Sequence, residues 1–285
     1  MSIQQIIGTF FLVCAILYEA YFIRDAARDR AAFEREPGRL GAVMGCEALV
    51  YFIATLGVSD FVMNTIVVRR LRLAEPENLP DCLITAGIVP GAVISFLYLR
   101  NAGAIDPTTL VVFIACMAVG SFVGSRAVGR MAGDTIKRAM VTLLSLAAAV
   151  LVIRMITNQG AVNTATALSG ARLVIMGVCT VVFGATNMLG IPAKPFLTTV
   201  LLLLGLSPLT TLALILGAIP IAVVTGGINV VRRKRYSRKL AVSAATTGCA
   251  GAFIGCALAI SINAVALNVI LVCVIIVAIV SLIKK

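Results

Sequence analysis

The sequence predicts an all-α integral membrane protein, a polytopic helical bundle. It is built from two inverted repeats, each with a broken, re-entrant helical hairpin plus three transmembrane helices, and one extra N-terminal helix. Three observations carry this. The 285 residues are 60% hydrophobic with a mean hydropathy of +1.07, and runs of roughly 20 apolar residues, enough to cross a bilayer core, dominate the chain. The chain also repeats itself. Ala86–Val93 (AGIVPGAV) returns as Leu216–Val223 (LGAIPIAV), Gly120–Gly124 as Gly251–Gly255, and Leu56–Val58 as Leu189–Ile191, at offsets of 130, 131 and 133. Finally, one long apolar segment in each copy is broken. Broken segments at matching places in a repeat are the best sequence pointer to a transport site.

Apolar segments lie near 5–23, 41–68, 82–99, 108–129, 137–156, 172–204, 208–231, 240–260 and 263–283. The first has no preceding basic stretch and ends in Tyr-Glu-Ala-Tyr-Phe, so it reads as a retained helix rather than a signal peptide. Residues 24–40 form a basic loop. Segment 41–68 is interrupted at Leu56–Asp60, and segment 172–204 at Gly190–Pro195. Glycine weakens a helix, and proline removes a donor while clashing with the preceding turn. Residues 1–40 thus precede a first membrane repeat at 41–156, a linker at 157–171 and a second repeat at 172–285.

Basic residues set the topology, because they collect in cytoplasmic loops. If each broken segment dips in and returns, 20 of the Lys and Arg side chains other than Lys194 face inward and 3 outward; single crossings give 16 and 7. Hairpins are favoured, with the N-terminus outside and the C-terminus inside. The repeats then enter from opposite sides. The formal charge of +12 is a topological signal here, not a nucleic-acid one.

Eight cysteines without C-x-x-C spacing and no histidine leave no framework for metal or disulfides, and no cofactor is expected. The thiols read as small apolar side chains. A membrane-embedded enzyme would need clustered His, Cys or acidic groups, so no enzyme is expected. No Walker motif is present to drive transport by ATP.

The breaks free backbone groups, which a membrane tolerates only against protein or a water-filled cavity. The returning half-helices begin near Phe61 and Pro195, and their free amides carry partial positive charge. Two such ends meeting at mid-membrane would hold an anion. Pro195 suits a first helical turn. Candidate substrate contacts are Ser59, Asn64 and Thr65 in the first half, and Thr186, Asn187, Gly190, Lys194 and Thr198 in the second, with Thr199 nearby. Hydroxyl and amide groups in membrane helices also serve as packing glue. Lys194 either binds substrate, pairs with Asp60 or snorkels. Asp60 neutralises Lys194, carries a proton or caps the helix after it. Glu47 is either a buried neutral carboxyl or, like Asp60, a proton-coupling site. Pro90 and Pro220 kink matching crossings or act as hinges. The G-x-x-x-G pairs suit close helix packing.

With these residues in view, the chain resembles the sulfite exporter TauE/SafE family. Most of the likeness lies in Phe183–Pro195 (FGATNMLGIPAKP) and Leu201–Pro208. Thr210–Ala213, the Arg-Arg-Lys-Arg-Tyr loop and Gly251–Gly255 extend it. It covers roughly residues 41–285 and is better in the second half. The chain departs from the family's glycine runs: the first break has Gly57 followed by Ser59-Asp60 and no proline. The resemblance implies a transporter of sulfite, sulfonates or related anions in the bacterial cytoplasmic membrane. The expectation is therefore a secondary transporter of a small anion, with a proton or ion as coupling partner and the bilayer as surroundings. A non-transporting subunit and a channel are the alternatives, and a homo-oligomer stays open.

Overall fold

The computed structural model describes residues 3–101, 105–127, 163–188 and 193–261. The predicted segments 137–156 and 263–283, with Cys273, lie outside the described residues. What is described is mostly helical. Six helices among the described residues are long and apolar enough to cross a membrane, which makes this a multi-pass membrane protein.

Helix α1 (Ile3–Arg28) runs longer than its apolar segment, and α2 (Arg30–Arg35) follows. The expected 24–40 loop is therefore mostly helical. Its Ala and Arg residues are good helix formers, and Arg30 pairs with Glu34 one turn on. The first broken segment is α3 (Leu40–Ala54) and α4 (Asp60–Leu71). At about 1.5 Å per residue, α3 is roughly 22 Å long, short of the ~30 Å hydrocarbon core. Gly57 turns the chain between them at φ +92, a backbone state that L side chains resist. Then come α5 (Leu79–Asn101), which contains Pro90, and α6 (Pro107–Ala127). The second broken segment is α7 (Gly170–Asn187) and α8 (Lys194–Leu203). One crossing is divided at Pro220 into α9 (Pro208–Ala218) and α10 (Pro220–Arg233). The last comprises α11 (Arg238–Ser243), a π-helical turn (Ala244–Gly248) and α12 (Cys249–Ser261).

Helix α5 is the central post, and α1, α9, α10 and α12 all pack on it. Where the proline-bearing crossings meet, a Cβ added at Gly91 would lie 3.6 Å from Pro220. The Ser95 hydroxyl donates to the Gly217 carbonyl, beside the ladder that Pro220 interrupts. Exposed apolar side chains line the outside: Phe10 and Leu17 on α1, Phe122 on α6, Val174 and Val178 on α7, Phe253 and Ile254 on α12. Patches of this extent in a membrane protein face lipid.

The glycine pairs join the two halves. Gly120 and Gly124 of α6 lie against the backbone of Val181 and Ala185 in α7. Gly251 and Gly255 of α12 lie against the backbone of Ala48 and Phe52 in α3. Each half thus packs its glycine helix on the broken helix of the other half. The two contacts correspond residue for residue, with the glycines offset by 131 and their partners by 133.

Polar contacts gather at the two ends of α5. At its start, Asp25 accepts from Tyr236 and Arg238, Glu36 accepts from Ser237 and from the amides of Arg238 and Lys239, and Asp81 pairs with Arg233. Burial and the Asp25 carboxylate hold the Tyr236 hydroxyl well above its usual pKa range. Gly38, just before α3, lies beside Leu71 and Leu73 at the end of α4. The opposite group, beyond the end of α5, joins the start of α6 to both ends of the second broken segment. There Asp106 and Thr109 bond to residues 166 and 168, the Ser207 amide to Ala165, and Asn163 to Leu202.

Candidate functional site

The two breaks meet. The first residue of α4 is Asp60, the first residue of α8 is Lys194, and their side chains form an ion pair at 2.6 Å. Only 13% of the Lys194 side chain and 8% of Asp60 are exposed, so the pair is buried. Helix geometry leaves the first-turn amides of both half-helices without intrahelical acceptors. Two positive helix ends and an ammonium therefore converge, and the Asp60 carboxylate is the anion among them.

A small chamber surrounds the pair. Ser59, Phe61, Asn187 and Ala193 come from the breaks, Gly87, Gly91 and Ile94 from α5, and Ile215, Leu216, Ile219, Pro220 and Val223 from around the proline break. Its free volume is about 20 Å³, room for about one water molecule. A sulfonate does not fit unless the chamber widens or Asp60 moves. Two residues on its wall carry a buried polar atom with no hydrogen-bond partner among the described residues: the Ser59 hydroxyl and the Asn187 amide nitrogen. Together with the ammonium of Lys194 they set donors around the Asp60 carboxylate, in a chamber otherwise lined by apolar side chains and glycine.

The local sequence explains this arrangement. Gly57 reverses the chain, and Ser59 at ψ 112 aims α4 back into the bundle without capping it. Asp60 spends its carboxylate on Lys194 rather than on capping. The Thr55 carbonyl, left free by the break, accepts from Tyr98 of α5 at 2.6 Å. In the second break Pro195 occupies the first turn of α8, where a missing donor does no harm.

Of the candidate contacts, Ser59, Asp60, Asn187 and Lys194 line the chamber. Asn64 turns away and donates to the Tyr51 hydroxyl at 3.3 Å. Thr65, Thr186 and Thr198 donate to carbonyls of their own helices, at Phe61, Phe183 and Lys194. These three do not line the chamber. Gly190 lies outside the described residues. Glu47 is fully buried in α3, off the chamber wall, with the Asn64 side chain beside its carboxyl.

Sequence reasoning took Pro90 and Pro220 as kinks or as hinges beside the site; Pro220 lines the chamber, and so do Gly87 and Gly91 flanking Pro90, which it did not single out. It also missed Tyr51, whose hydroxyl is buried beside Asn64 and within 4.0 Å of a Cβ placed at Gly87.

Fold and chamber together define a multi-pass helical membrane protein with a buried ion pair at its centre. No family model, no curated protein and no solved structure matches the chain.

Proposed function

We propose that the protein is a secondary transporter of small anions, and that the chamber between the two breaks is its substrate site. The observation that carries this is the convergence of Lys194, two helix N-termini and the donors Ser59 and Asn187, unpartnered among the described residues, around one small chamber. Such a constellation favours negative charge. Asp60 then acts as an internal stand-in for substrate, holding Lys194 neutral while the site is empty.

Alternating access follows from inverted repeats, each with a re-entrant hairpin. The polar groups at the two ends of α5 support that arrangement: the first broken segment has both ends at one of them, the second has both ends at the other. The basic loops 24–40 and 232–239 share one end, which the charge rule makes cytoplasmic. The charge rule favours the N-terminus outside and the C-terminus inside, and the family resemblance suggests a bacterial cytoplasmic membrane. A chamber with room for about one water suits a carrier better than an open channel.

Sulfite and organosulfonates are the substrates suggested by the resemblance to the sulfite exporter TauE/SafE family, and export is the suggested direction. Flux of labelled sulfite and short sulfonates in proteoliposomes tests this. Saturable movement of one of them is expected. Intact, folded protein that moves none would overturn the substrate assignment. Unchanged anion affinity in Lys194→Ala would overturn the site.

A further inference from the structure

The buried carboxyl of Glu47 has no part in the chamber, and its surroundings are unusual. It is 0% exposed, and its polar neighbour among the described residues is the Asn64 side chain. The side-chain oxygen of Asn64 is buried without a partner among the described residues. These groups sit together, with Asn64 beside Glu47 and Asp60 within electrostatic reach of it. Tyr51 lies one helical turn after Glu47, and its hydroxyl is held by the Asn64 amide. A point at the Cβ position of Gly87 is 3.5 Å from Asp60 Oδ2 and 4.0 Å from the Tyr51 hydroxyl. Glu47, Asn64 and Tyr51 therefore form a polar cluster on one side of Gly87, with the ion pair beside it.

The elements around Glu47 supply little positive charge. Helix α4 brings Asp60, whose partner is Lys194. Helix α4 also carries Arg69 and Arg70, exposed at its far end; α12 brings Cys249 and Cys256, the π turn brings no titratable group, and α11 brings Lys239 and Arg238, the latter paired with Asp25. Lys239 is committed to the carbonyls of Glu34, Glu36 and Gly38 at the end of the bundle. A lone ionised carboxylate in such a place is strongly disfavoured, and a proton is the smallest group that neutralises it.

We propose that Glu47 is a proton-binding site that couples proton movement to anion binding at Lys194. This rests on the transport reading of the same chamber and adds its driving ion. With the site empty, Lys194 and Asp60 neutralise each other and Glu47 holds its proton. When a monovalent anion takes Lys194, the Asp60 carboxylate loses its partner. It gains a proton from Glu47, and Glu47 is reprotonated when the carrier next opens to water. One proton enters per monovalent anion, and the occupied site is again neutral.

The test uses the full chain reconstituted in lipid. Infrared difference spectra on titration should show a protonated carboxyl near neutral pH in wild type and in Asp60→Asn, absent from Glu47→Gln. In vesicles, Glu47→Gln should lose about tenfold or more of the accumulation driven by a pH gradient. A cooperative thermal melt like that of wild type shows that the variant is folded. An ionised Glu47 in the wild-type spectra overturns the proposal, and so does undiminished accumulation by Glu47→Gln. Saturable stabilisation by sodium at constant pH, lost in Glu47→Gln, overturns it in favour of a metal cation. If wild type moves no anion, the transport reading fails on its own, while the infrared band still decides the state of Glu47.

Discussion

At the scale of single residues, the Asp60–Lys194 pair dominates. Removing one partner from a buried pair leaves an uncompensated charge, which typically costs about 3–5 kcal/mol. Asp60→Asn and Lys194→Ala should each lower the melting temperature in detergent. The double variant Asp60→Asn with Lys194→Met should recover most of that loss, since replacing a whole buried pair by uncharged side chains is often nearly neutral. A double variant no more stable than the worse single one would show that the pair is not the stabilising unit. The pair also shows how far residue types alone can be read. Lys194 stood out as a charge in an apolar segment, and three fates were open to it: substrate contact, ion pair or snorkelling. The threonines looked equally eligible, yet Thr65, Thr186 and Thr198 donate to their own helices. A hydroxyl in a membrane helix has a carbonyl one turn back always within reach.

At the scale of elements, the glycines separate into two kinds. An added methyl at Gly120 or Gly251 would penetrate the backbone of the facing helix, at Val181 or Ala48. Gly41 and Gly45 of α3 have open space at that position. Gly120→Ala and Gly251→Ala should therefore both destabilise, by similar amounts because their surroundings correspond. Gly41→Ala and Gly45→Ala should be neutral or stabilising by up to about 1 kcal/mol, since alanine restrains the unfolded chain more than glycine does. Thermal melts of the four variants check this. Glu36 is an element-scale anchor of another kind. Its carboxylate accepts from Ser237 Oγ and from the amides of Arg238 and Lys239 at the start of α11. Glu36→Ala would leave these donors unpaired and should cost about 1–3 kcal/mol, read by the same melts.

At the scale of the whole molecule, the arrangement of the two broken segments makes a directional prediction. In a chain with its native cysteines replaced, Glu75→Cys and Arg235→Cys should react with an impermeant thiol reagent from one side of the membrane. Ala167→Cys should react from the other. All three positions are exposed. Labelling of all three from one side would dismantle the inverted-repeat reading and alternating access with it.

Hydropathy, the repeat and the two breaks were legible in the chain because each is a local property. A run of apolar residues sets a membrane span, and Gly57 or Pro195 interrupts a helix whatever lies across from it. The helical extension through 24–35 escaped because charge was read as loop, although Ala and Arg favour helix. What only the tertiary structure decided was partnership. That Asp60 meets Lys194, that Asn64 turns to Tyr51 instead of the chamber, and that each glycine helix packs on the other half's broken helix are contacts between residues far apart in sequence or on different helices. Within a bilayer, apolarity alone does not choose one helix partner over another. Close backbone approach and the pairing of buried charge make that choice, and both depend on where distant segments are brought together.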